Sequence, residues 1–165
     1  MNDQLILLLE TATSSCSVAL SENGKIIAVR EAKERHIHAS HITLFIEELM
    51  IQTGKKYSDL KAVAVSKGPG SYTGLRIGVS TAKGLCYALD IPLLGIDTLE
   101  AMASGLLSKM EVQQSDLLIP MIDARRMEVY TGIFQKDLKV IEPVNAKIVD
   151  ASSFDQFSDP VKNNF

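Results

Sequence analysis

Two hydrophobic periods run along the chain. Leu5 to Leu9 is an unbroken apolar run that Glu10 ends, the pattern of a strand buried on both faces. Cys16 to Leu20 follows a turn of small polar residues, and Glu22-Asn23-Gly24 carries a hairpin signal. Lys25 to Arg30, rich in Ile and Val, completes a three-stranded meander. From Ala39 to Thr53 the period lengthens. Ile42, Phe45, Ile46, Leu49 and Met50 recur as one face of an amphipathic helix. Gly54 stops that helix, and Lys55-Lys56 complement its negative end. Ala62 to Val65 reads as a strand, residues 68–71 as a loop, about Thr73 to Leu89 as a helix, and Ile91 to Ile96 as a strand. Asp97 or Thr98 then caps a helix that runs to about Lys109. The order β-β-β-α-β-α-β-α predicts an α/β, ribonuclease-H-like lobe, a mixed sheet with helices on both faces.

After a polar stretch the opening pattern returns. Leu117 to Ile122 is an apolar run ended by Asp123, Glu128 to Phe134 is a second strand, and Leu138 to Ile141 is a third. Residues 1–110 are therefore expected to form a first lobe, and 111–165 the start of a second, similar one. The polar tail from Val149 to Phe165 is too short to finish the second copy, so that lobe is expected to be incomplete. Two such lobes build the actin, sugar-kinase and Hsp70 group, where a nucleotide lies between them.

Composition removes several functional classes. The 165 residues carry 20 acidic and 17 basic side chains, a formal charge of −3, which argues against a strongly basic nucleic-acid-binding module. Trp is absent and aromatics are sparse, which argues against a broad base-stacking surface. Arg125-Arg126 and Lys55-Lys56 leave room only for weak, salt-sensitive contact with tRNA. The N-terminal apolar run has five residues and no preceding Lys or Arg, so neither a signal peptide nor a membrane span is expected. Cys16 and Cys86 read as buried small hydrophobes of a reducing, cytoplasmic compartment.

The sharpest motif is the run from Lys67 to Gly78, KGPGSYTGLRIG, between a strand and a helix. Gly70, the hydroxyls of Ser71 and Thr73, the helix start and Arg76 suit an anion, although the spacing is not that of a P-loop. The plainer reading is a capped tight turn. Gly74, Gly78 and Ala82 fall four apart on one helix face, suited to close packing on the sheet or on a partner helix. His36, His38 and His41 cluster before the first helix without a nearby Cys, and the expectation there is a solvated helix start with no metal. Glu10 and Asp123 end corresponding strands, where ATPases of this architecture hold hydrated Mg²⁺. A two-metal nuclease needs a further carboxylate after the fourth strand, where Ser66-Lys67 stand, so that reading is rejected.

Three runs together, Leu8-Leu9-Glu10-Thr11-Ala12-Thr13 with Ser17 to Leu20, the Gly68 to Gly78 run, and Ile122-Asp123-Ala124-Arg125-Arg126-Met127-Glu128-Val129-Tyr130, resemble the bacterial TsaB (YeaZ) family. The resemblance covers about Leu5 to Ile141. It implies a non-catalytic paralogue of TsaD in the pathway that makes threonylcarbamoyladenosine at tRNA position 37, and a group once labelled glycoproteases. It implies TsaD as heterodimer partner, TsaE in a ternary complex, a homodimer when alone, and tRNA met indirectly or weakly. It implies no tightly bound cofactor, with ATP or ADP only at the complex interface. Thr98 and Met102 stand where TsaD carries its two metal-binding histidines, and neither suits that metal. Ile42, Phe45, Ile46 and Leu49 on the first helix and Gly74, Gly78 and Ala82 on the second are the implied partner interface. Thr11 is an implied nucleotide contact. The family usually has Asp-Thr-Ser where this chain has Glu10-Thr11-Ala12. The rival function is an enzyme in its own right, an ATP-dependent phosphotransferase or a peptidase. The first needs a complete second lobe, the second a nucleophile–base pair or a metal.

Overall fold

The computed structural model describes residues 4–32 and 38–157, with the side chains of 38–40 excepted. The meander comprises β1 (Leu5–Glu10), β2 (Cys16–Glu22) and β3 (Lys25–Ala32). Asn23 and Gly24 join β2 to β3 with φ of 53° and 80°, the left-handed pair that a tight hairpin turn requires. Next come α1 (His38–Thr53), β4 (Leu60–Gly68), α2 (Tyr72–Leu89), β5 (Leu93–Asp97) and α3 (Thr98–Leu107). The five strands form one sheet in the order β3-β2-β1-β4-β5, with β1 antiparallel to β2 and parallel to β4.

Connection geometry then places the helices. β3 is antiparallel to β2, as β1 is, so β3, β1, β4 and β5 all run the same way. α1 links β3 to β4 and α2 links β4 to β5, both stepping in one direction across the sheet. Right-handed crossovers put both helices on one face, running parallel to each other. That face holds the core. Leu5, Leu7, Leu9, Val18, Leu20, Val63 and Val65 meet Ile42, Ile46, Leu49, Ala82 and Cys86. Each fully buried aliphatic contributes about 2 kcal/mol. The opposite face is far more open. Ile27 and Val29 at one edge and Leu94 and Ile96 at the other are 39–49% exposed, and a shallow hollow of about 250 Å³ runs over Leu8, Ala19, Ala64 and Ile96.

The second repeat is a three-stranded antiparallel sheet of β6 (Met121–Arg125), β7 (Glu128–Phe134) and β8 (Val140–Ile148). The pattern predicted its first strand four residues too early. Pro120 has no N–H for a ladder, so regular pairing starts at Met121, and Leu118 makes only an isolated bridge to Phe134. Asp123 therefore sits inside β6 rather than after it. α3 also ends sooner than expected, at Leu107. Its Leu99 and Ala103 pack with Val112, Leu118 and Phe134 of the second repeat, although its sequence position is in the first. The Lys55 ammonium does not serve the end of α1 alone; it pairs with Glu22.

Among the described residues no helix is long and apolar enough to cross a membrane. Both cysteines are free and buried. Burial pushes the Cys16 thiol up, and the Glu10 charge adds to it; burial also raises Cys86, partly opposed by a backbone hydrogen bond. A raised folded-state pKa favours the neutral thiol. The associated stability is complete below the unfolded thiol value of about 8.5 and is lost as pH climbs above it. The native chain is expected to react negligibly with Ellman's reagent near pH 8 and to release both thiols only on denaturation; rapid native labelling contradicts this burial.

Candidate functional site

The glycine-rich run turns out to be a packing device first. Ser71 caps α2 by accepting a hydrogen bond from the Gly74 amide at 3.3 Å, and its own amide donates to Ala12 O at 2.6 Å. A Cβ on Gly70 would stand within 3.0 Å of Ala12, one on Gly74 within 3.0 Å of Thr11 O, and one on Gly78 within 3.0 Å of Thr11 Oγ1. The small-residue face of α2 therefore lies on the β1–β2 loop of its own chain. Gly74 and Gly78 are buried there, and Ala82 is buried with Ile42, Ile46 and Leu49 in the core against the sheet. In the chain by itself, the implied interface positions therefore face its own sheet and loop. Of the seven positions only Phe45 keeps partial exposure, and it too packs against the core. The 3.6-residue period marks the buried side of a helix and is blind to whether that side meets a sheet or another protein.

Two of the implied anion contacts pack closely against neighbouring residues, although Gly70 also lines an open cleft. Thr11 is 0% exposed beneath α2, with its hydroxyl unpartnered, and Gly70 is filled by Ala12. Ser71 spends its hydroxyl on the cap. Thr73 and Arg76 do reach solvent, and the Arg76 guanidinium lies 4.7 Å over the Tyr72 ring. Glu10 has both carboxylate oxygens engaged. Oε1 accepts from the Ala12 amide at 2.6 Å and Oε2 accepts from the Ser66 hydroxyl. The carboxylate thus ties β1, its loop and β4 together. At the start of α3, Thr98 is buried with an unpartnered hydroxyl, and Met102 is 40% exposed. Among the described residues no three His, Cys, Asp or Glu side chains cluster to hold a metal ion. His36 lies outside the described residues, as does the His38 side chain; the His41 ring stands 6.0 Å from Phe45.

What remains open is a shallow cleft of about 430 Å³ between the Gly68–Gly70 loop and the second sheet, walled by Tyr72 and Tyr130. The Lys67 ammonium and Asp97 carboxylate pair at 2.9 Å beside it. On the same hairpin as Tyr130, the β6–β7 turn holds three consecutive non-glycine residues in the left-handed region, Arg125, Arg126 and Met127 at φ of 68°, 53° and 67°. Each costs about 1–2 kcal/mol against an ordinary conformation. The Asp123 carboxylate steadies the turn by accepting from the Arg125 amide at 2.7 Å. The sequence offers these arginines as charge and as part of the Ile122 to Tyr130 run; their strain has no periodic signature.

The sheet order, the repeated β-β-β opening and the glycine-packed helix define a ribonuclease-H-like protein of the actin and Hsp70 type, with the start of a second lobe. Residues 27–161 match the family described as TsaD, tRNA N6-adenosine threonylcarbamoyltransferase. The chain is 37% identical over 132 residues to the tRNA threonylcarbamoyladenosine biosynthesis protein TsaB of Escherichia coli K12, covering 80% of this chain and 55% of that protein. It is 34% identical to the TsaB of Bacillus subtilis 168, over 84% of this chain and 58% of that one. The solved YeaZ of Pseudomonas aeruginosa superposes with a TM-score of 0.80 at 28% identity, covering 90% of this chain and 69% of that chain. This chain belongs to the TsaD-type family, in its TsaB (YeaZ) branch. It spans little more than half the length of the curated relatives it matches.

Proposed function

We propose that the chain is a non-catalytic scaffold subunit for tRNA threonylcarbamoylation, one that binds and activates a TsaD-type catalytic subunit in the cytoplasm. The observation that carries this is at the start of α3, where the paralogue's metal-binding histidines are replaced by a buried Thr98 and an exposed Met102. A threonine hydroxyl and a thioether do not hold a hard metal. Nucleotide, where the reaction needs it, is met at the complex interface, with TsaE joining there.

The contact surface is the outer side of the α1–α2 pair rather than the buried side. Leu44 and Ile51 on α1 are 44% and 75% exposed, and Tyr87 on α2 is 92% exposed. A large aromatic ring left in water beside aliphatics is the composition of an interface anchor. The same face supports a homodimer when no partner is present. Co-expression with the cognate TsaD-type subunit is expected to give a shared peak on size exclusion and transfer activity that depends on this chain. Full transfer without it, or turnover by this chain alone, overturns the reading.

A further inference from the structure

We infer that the tip of the β6–β7 hairpin and the cleft beside it form a contact for a single-stranded RNA loop, with Arg125 and Arg126 on phosphates and Tyr72 and Tyr130 flanking an unstacked base. The inference rests on the assignment to an RNA-modifying assembly.

The first observation is the turn itself. A two-residue hairpin turn that needs positive φ ordinarily takes Asn-Gly, as β2–β3 does here. This one keeps two guanidinium groups and a thioether in that conformation instead. Met127 is 88% exposed and both arginines face solvent. Among the described residues no carboxylate pairs with either guanidinium. The neighbouring Asp123 accepts from a backbone amide. Side chains kept where glycine is favoured point to a use outside the fold.

The second observation is the cleft. Arg125 pairs across the hairpin with Glu128, and Tyr130 lies two residues beyond it, so roughly 7 Å of strand separates the arginines from the cleft wall. Across the gap stands Tyr72, 71% exposed and stacked by Arg76. Aromatic walls beside planar cations are how proteins hold splayed-out bases of RNA loops. An acidic protein segment would engage the arginines and leave both phenol rings unused. A free nucleotide would seek the amides of the glycine loop, and there the Ser71 amide already donates to Ala12 O while its hydroxyl caps α2. With the chain at −3 overall, the attraction is local to this edge.

The test is fluorescence anisotropy of the full chain with a labelled RNA stem-loop, against the same stem as a blunt duplex and against ATP as competitor. The stem-loop is expected to bind in preference to the duplex. Arg125→Ala with Arg126→Ala, and separately Tyr130→Leu, are expected to weaken binding about tenfold, the arginine pair also flattening the salt dependence. Arg126→Gly is expected to raise the melting temperature while weakening RNA binding, a pair of opposite effects that a purely structural turn does not give. Wild-type affinity in these variants, equal binding of the duplex, or full displacement by ATP overturns the inference. Co-purification of each variant with the TsaD-type subunit separates the two readings. Loss of that partner in place of RNA makes the tip a protein contact. A wild-type chain that co-purifies but ignores RNA sinks this inference and leaves the scaffold function standing.

Discussion

Gly78→Arg unfolds this chain rather than merely parting it from a partner. The new Cβ would collide with the Thr11 side chain, which is itself completely buried beneath α2, and the guanidinium would start from a buried position. Overpacking plus a buried unpaired charge costs several kcal/mol, on the order of the whole stability of a domain this size. The expected result is loss of the cooperative thermal transition and of soluble protein. Gly74→Ala adds only a methyl, toward Thr11 O, and is expected to lower the melting temperature by about 5–10 °C. A Gly78→Arg chain that melts normally and fails only in partner binding would restore the small-residue face as an external surface.

Tyr87→Asp is expected to do the reverse. The ring is almost wholly in water, so melting should move by less than a degree or two. Binding to the TsaD-type subunit should weaken about 30- to 100-fold, the usual loss when a central aromatic anchor is replaced by a charge. Size exclusion of the co-expressed pair and a titration of the separated subunits read this directly. Undiminished binding would move the interface off the outer side of the α1–α2 pair.

These two results turn on what periodicity shows. Every strand and helix of the first repeat follows from runs, hairpin residues and caps, because burial against a sheet imposes a period on sequence. Leu5 to Leu9 and the Ile42 to Met50 face are legible for that reason. What the face packs against is a long-range fact. Thr11, some sixty positions before α2, decides the meaning of Gly74 and Gly78, and no local pattern links them. The β6 start was misplaced because one proline outweighed an apolar run. Arg125 to Met127 read as part of a family run, and the two arginines as charge, because backbone strain leaves no trace in residue type unless glycine marks it. The exposed apolar residues of α1 and α2 are illegible for a related reason. An apolar residue off the periodic face looks like noise in a sequence, and only the fold shows that Ile51 and Tyr87 stand in water.

The parallel course of α1 and α2 has an electrical consequence. Both helices end toward the same rim of the molecule, and neither carries a basic residue in its last turn. Lys55 is held by Glu22, and Asp90 follows α2 directly. Two carbonyl-terminated dipoles, each equivalent to about half a negative charge, thus add along one border, eased at the α1 end by Lys56 and by a Lys55 shared with Glu22. Any subunit that docks beside Ile51 and Tyr87 meets that border. A lysine- or arginine-bearing rim on the docking subunit would be drawn in faster at low ionic strength, and an acidic one would be turned away before a single apolar contact forms.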